Sequence, residues 1–367
     1  MTEMPIAPDN TPFQALQSLR SRQHPSLKGV CKCSDRTPRT LVRSLGSRMT
    51  AIASSLLITL SIGVGAAMAK DPFRTTNPHS IGPNTEAAFR AIFEKGNYVE
   101  GQEYLKNAET DEPMAYAMQA SLAYTTKDWE GFKVNGTRTR ETAEALIKTN
   151  PLRGNLYAAV GHFLEGAYIL SQQGTVRGTP EALNRLQQVF KHLKVAERIS
   201  PQDPELNVVK GFMDLMLAVN LPFSNPGQAV ERLEKYANPR YLAYRGIALG
   251  YRDLKQYDKS LDYVNRAIAV TPNQPEVQYL KAQILAAKAY EQKNAKLYAE
   301  AGKYFQLALA KPEQLPKSLV WQIFFEQCQA QERLDNKPRN CSPLRDTINQ
   351  QPGPWGPKAK NMPVLSP

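Results

Sequence analysis

Histidine and tryptophan are scarce in this 367-residue chain, four and three in all. The sequence holds no His-Glu-x-x-His run, no glycine loop of the phosphate-cradling kind and no serine elbow. The local signatures of zinc proteases, nucleotide-binding loops and hydrolase nucleophiles are therefore missing. No stretch of five like charges occurs, although Lys+Arg outnumber Asp+Glu by 46 to 34. Cysteine is limited to four positions, and long apolar runs are limited to one. What is present, 42% hydrophobic and 22% charged residues, excludes a wholly disordered chain and a polytopic membrane protein.

The single apolar run is Ala51–Ala69, AIASSLLITLSIGVGAAMA, preceded by Arg43 and Arg48 and followed by Lys70-Asp71. A positive flank, an apolar core and small residues at Ala67 and Ala69 predict a secretory signal peptide over 49–69, cleaved between Ala69 and Lys70. The alternative is an uncleaved single-span anchor, since the run approaches the ~20 residues that cross a bilayer. No Cys lies near the cleavage site and no Arg-Arg pair precedes the run, which favours the general export route without a lipid anchor. Residues 1–48 are polar and lack apolar periodicity. They form either an extended, unstructured n-region or a stretch upstream of a true start near Leu41 or Val42.

Export changes the meaning of the charge. Residues 1–69 hold eight basic and three acidic side chains, so five of the twelve surplus charges belong to the leader region. The rest are spread thinly, with no basic stripe, and the reading at this point excludes a nucleic-acid partner. Beyond the leader only Cys328 and Cys341 remain, 13 residues apart. In an oxidising compartment they predict a disulfide, worth about 3 kcal/mol in the chain-entropy model. Two free thiols are the alternative, and metal binding is not expected from two Cys with no His nearby.

Past a linker over 70–83, residues 84–334 read as helical hairpins. Pro113, Pro151, Pro201, Pro239, Pro272 and Pro312 recur at spacings of 38, 50, 38, 33 and 40 residues, each read as closing a unit. The clearest unit is 241–274. Tyr244, Ile247, Ala248 and Tyr251 share a face of its first helix, and Tyr257, Ser260, Leu261, Val264, Ala267 and Ile268 share a face of the second. Asp258 is the expected N-cap of that second helix. The 50-residue spacing is read as an insertion around Ser171–Gly178. Pro316–Leu334 is expected to be a closing helix, with 335–350 a short segment pinned to it by the disulfide. Residues 351–367, rich in proline and without periodicity, are expected to be disordered.

On these residues the chain resembles the tetratricopeptide repeat (TPR) family, closely in 241–274 and loosely elsewhere. It looks like an exported bacterial member, including those of cyanobacteria. The resemblance implies an all-α, right-handed solenoid of TPR-like hairpins with a C-terminal capping helix. It also implies a groove, lined by first helices, that holds a protein or peptide partner. Carried onto this sequence, the groove positions are Leu242, Arg245, Leu249, Arg252 and Asp253, with Asn155, Ala158, His162 and Glu165 in an earlier unit. Leu249 stands where the carboxylate-clamp subfamily carries a polar residue, so that clamp is not expected. His162 and Glu165, at i and i+3, are too few ligands for a metal site. No cofactor and no catalytic residue is expected, and membrane contact only if the leader is retained. A membrane-held assembly factor is the second reading. A helical peptidoglycan lyase is the third, and its catalytic Glu would need a further domain.

Overall fold

The computed structural model describes residues 71–220 and 226–365. The leader, with Cys31, Cys33, Ala69 and Lys70, lies outside the described residues. The architecture is the expected all-α, right-handed solenoid of TPR-like hairpins with a C-terminal capping helix. In chain order the helices are α1 (Pro83–Phe89, running on as a π-turn over Arg90–Glu94), α2 (Tyr98–Lys106), α3 (Pro113–Thr125) and α4 (Trp129–Leu146). There follow α5 (Pro151–Ile199), α6 (Pro204–Asn220), α7 (Pro226–Lys235), α8 (Arg240–Asp253) and α9 (Tyr257–Val270). The series ends with α10 (Pro275–Gln292), α11 (Ala295–Ala308), α12 (Lys317–Asp335) and α13 (Cys341–Asn349). Among the described residues, no helix is long and apolar enough to cross a membrane.

Of the six prolines read as closing a unit, Pro113 and Pro151 open a helix instead, whereas Pro201 and Pro272 follow the ends of α5 and α9 as expected. Pro83, Pro113, Pro151 and Pro275 each stand in the first turn of a first helix. There the fixed φ suits the helix and the missing N–H loses no partner. The residue before three of them caps the helix: Glu112 accepts from Met114 N, Asn150 from Arg153 N and Gln274 from Val277 N. A cap followed by proline therefore opens each of these units.

The turns inside the hairpins share a second signature. Gly96, Lys127, Lys255 and Lys293 all have positive φ, and each is followed by the first polar residue of the next helix start. Asp128 N bonds Ala123 O, Gln256 N bonds Tyr251 O and Asn294 N bonds Ala289 O. This is the Schellman closure, which needs one left-handed residue. Gln256 holds the cap position of α9 without a side-chain bond, so Asp258 is not the N-cap. It lies in the first turn and pairs with Lys288 instead.

The expected insertion near Ser171–Gly178 is taken up as extra helix. The first and second helices of that unit run together as α5, interrupted only at Gly174, where φ 73° and ψ 171° break the helical path. In the 241–274 unit the small residues do what their size allows. Ala248, Ser260 and Ala267 are all fully buried, and the Ser260 hydroxyl donates to Ala248 O across the hairpin at 2.7 Å.

Two terminal segments depart from expectation. Residues 71–82 are not an open linker: Asp71, Phe73 and Ile81 are buried, and Asn238 Nδ2 donates to Phe73 O at 2.9 Å. The tail is likewise ordered through residue 365. Lys317 N bonds Pro354 O, Gly356 N bonds Leu315 O, and Trp355, Met362 and Leu365 pack on the apolar clusters. An isolated aromatic and two aliphatics are enough to dock a segment that has no repeat of its own. The Cys328–Cys341 disulfide is formed, tying α13 to α12. Ser318 Oγ on α12 also donates to Thr125 O at the end of α3, so late and early hairpins touch.

Candidate functional site

Two polar networks lie on the first helices, and the groove positions read from the sequence divide between the second of them and a smaller histidine cluster. The first network joins the segment before α1 to α3, α5 and α6. Arg153 grips Glu112 with both guanidinium nitrogens at 2.9 and 2.8 Å and reaches Glu205 at 3.3 Å. Tyr157 donates to Glu205 at 2.7 Å. Arg74 pairs with Asp71 at 2.8 Å, with Glu205 at 3.2 Å and with Asp203. Four carboxylates thus face two arginines. The balance comes from helix starts, since Glu112 accepts from Met114 N and Asp203 from Leu206 N at the positive ends of α3 and α6. Burial works to raise the Glu205 carboxyl, but the Arg153 charge, His79, Arg74 and the Tyr157 hydroxyl hold it well below the usual range. Glu205 is fully buried and both arginines nearly so, which closes this network to any partner.

The second network is a ladder across three successive first helices, α8, α10 and α12. Arg245 on α8 pairs with Glu276 on α10 through two bonds of 3.2 and 2.7 Å. Glu276 also takes bonds from Gln274 and from the Tyr98 hydroxyl of α2. Arg252 on α8 bonds Asp253 at 2.9 Å and Gln283 on α10 at 2.6 Å. Gln283 in turn donates to Glu326 on α12 at 3.0 Å, and Tyr279 donates to the same carboxyl at 2.6 Å. Burial pushes the Glu326 carboxyl up, its neutral donors only partly opposing this. Burial tends to raise Glu276 too, but there the Arg245 charge prevails and holds it down. Unlike the first network, the ladder keeps a wet edge: Arg245 is 20% and Glu276 15% exposed, and Arg252 is 19% exposed.

Arg245, Arg252 and Asp253 are therefore brought together, and Leu249 lies between them on α8, partly buried against the α9–α10 cluster. Leu242 and Ala158 are buried core residues. His162 and Glu165 belong elsewhere, among α4 and the two limbs of α5. Glu165 pairs with Arg140 at 3.0 Å and Arg185 at 2.7 Å. The His162 ring stacks on His192 at 5.6 Å, and His192 Nδ1 meets Asn155 Oδ1 at 2.9 Å. Burial first, then the His162 charge, lowers the His192 pKa. No group of three or more His, Cys, Asp or Glu able to hold a metal occurs among the described residues. Glu276, Gln283, Tyr279 and Glu326 were missed. The signal that finds the first two is the repeat offset: Arg245 to Glu276 and Arg252 to Gln283 are each 31 residues apart.

No family model and no curated protein matches the chain. A solved structure it resembles is a human IFIT1 dimer with m7Gppp-AAAA, at 17% identity and a TM-score of 0.39. The match covers 71% of this chain and 60% of that one. It corrects one expectation. Exclusion of a nucleic-acid partner does not stand when a chain this one resembles is solved with such a ligand. The physical reason is that cations from separate helices can converge without forming a run in the sequence, so a missing basic run excludes nothing.

Proposed function

We propose that this chain is an exported, non-enzymatic scaffold that holds a protein or peptide partner on the ladder across α8, α10 and α12. The observation that carries the reading is the row of charged and amide groups, open to solvent along one edge, drawn from three consecutive first helices. Repeat arrays bind extended segments on such rows because each repeat offers the next contact in register. Mixed sign, with Arg245 and Arg252 beside Glu276, Asp253 and Glu326, suits a polar peptide backbone, which offers donors and acceptors in alternation. Export rests on the charge-flanked apolar run before Lys70, and the formed disulfide supports an oxidising compartment such as a periplasm, or a thylakoid lumen in a cyanobacterial host.

Crosslinked capture with the exported form tests the assignment. A double variant, Arg245→Glu with Glu276→Arg, keeps the ion pair while reversing the polarity of the ladder. Loss of the partner is expected, whereas retention of every partner would show that the ladder is not the binding face. Cell fractionation with mass measurement of the N-terminus tests the compartment: a soluble exported form beginning at Lys70 is expected, and a membrane-held form with its leader intact contradicts it.

A further inference from the structure

A separate cleft of about 690 Å³ opens where the α1–α2 turn meets the loops that follow α9 and α11. Its walls include Glu94 from the end of α1, Glu100 from the first turn of α2, Val270 and Thr271 from the end of α9, Leu307 from the end of α11, and Gln278 from α10. It shares none of the ladder's residues. We propose that this cleft binds an ammonium or guanidinium group carried on an aliphatic stem.

Three observations carry the assignment. Gln278 is only 5% exposed, and its amide orientation is fixed because Nε2 donates to Pro272 O at 2.6 Å. Its Oε1 is left with no hydrogen-bond partner among the described residues. A buried acceptor without a donor is costly, and a ligand N–H relieves it. Next, α9 and α11 both end at the cleft, and helix C-termini present carbonyls and partial negative charge. Finally, Val270 and Leu307 are large aliphatics left 52% and 53% exposed on the wall, a surface that a methylene stem covers. The wall carboxylates are each paired, Glu100 with Lys95 at 3.0 Å and Glu94 with Arg90 at 3.1 Å, and Lys311 is exposed, so the cleft's unmet acceptor is the Gln278 carbonyl rather than a carboxylate.

A lysine or arginine side chain of a peptide and a free alkyl diamine share this chemistry. Calorimetric titration of the full exported chain with a lysine-containing tripeptide and with 1,5-diaminopentane separates them. The norleucine tripeptide serves as the uncharged control. Binding of the lysine peptide, the diamine or both supports the cleft, the stronger ligand identifying the source. Gln278→Leu is expected to weaken that binding about tenfold or more, the effect of losing a hydrogen bond to a charged group. Leu307→Ser alters only an exposed side chain, keeps the fold whatever happens to the Gln278 variant, and is expected to weaken binding several-fold, about the worth of an aliphatic contact. The proposal is overturned if neither amine binds, if the norleucine peptide binds as tightly as the lysine peptide, or if Leu307→Ser leaves the affinity unchanged.

Discussion

The network around Glu205 and the ladder around Arg245 both join arginines to carboxylates across first helices, yet they differ in access to water. In the first, Arg74, Arg153 and four carboxylates are enclosed by a folded-back segment before α1. In the second, guanidinium and carboxyl groups keep a fifth or less of their surface open along one edge. The difference teaches that a charge on a first helix is not by itself a binding group. Where the chain's own residues 71–82 cover it, it is a lock. Where the covering is incomplete, as along the ladder, it keeps an edge open to solvent.

The largest expected effect breaks the lock. Arg153→Met leaves Glu112 and Glu205 facing each other without their shared cation, and destabilisation of about 3–5 kcal/mol follows from the uncompensated buried charge. Chemical denaturation at pH 7 measures it. The same network sets acid sensitivity. Because the folded state holds Glu205 below its unfolded value of about 4.3, its stabilising contribution is full above that value and is lost as pH falls below it. Glu205→Gln, although less stable at neutral pH, is expected to lose less additional stability between pH 5 and pH 3 than the parent chain.

The ladder should respond more weakly. Arg245→Glu places like charge against Glu276, and a loss of about 1–3 kcal/mol is expected, between the values for exposed and enclosed pairs. Restoring the pair by Glu276→Arg should recover most of it in a double-mutant cycle. Glu326 has the opposite sign to Glu205. Its pKa is raised on folding, so its contribution is favourable below about pH 4.3 and is lost as pH rises through the folded value. Glu326→Gln should therefore raise the melting temperature slightly at pH 7 and not at pH 4.

The smallest effect lies outside both networks and calibrates them. Lys255 holds the left-handed turn of the 241–274 unit, with φ 57°. Lys255→Gly should stabilise by up to about 1 kcal/mol, the strain relieved slightly exceeding the entropy lost. A thermal scan is sufficient.

How much of this was legible in the sequence follows the range of each interaction. The hairpins were readable because 3.6-residue periodicity is local, and Ala248, Ser260 and Ala267 could be matched to close helix packing from one 34-residue window. The disulfide was readable because two Cys only 13 residues apart, on the expectation of export, have few alternatives. Arg245 and Arg252 were found, but their partners on α10 and α12 were not, since those pairings skip a whole second helix. The segment 71–82 and the tail around Trp355 were misread for a related reason. Each docks through one or two side chains, Phe73 and Ile81 or Trp355, which leaves no periodic trace. Pro201 and Pro272 were read at the right end of α5 and α9, but Pro113 and Pro151 were given the wrong end, which the preceding caps at Glu112 and Asn150 would have revealed.

The claim that the ladder is open for recognition while the lock is closed can be tested in one measurement. A photo-reactive residue placed at Leu249, between Arg245 and Arg252, is compared with one at Lys303 on the exposed side of α11. Irradiation in the exporting cell should yield a discrete protein or peptide adduct from Leu249 and none from Lys303. Adducts of equal strength from both positions, or from Lys303 alone, would contradict the account.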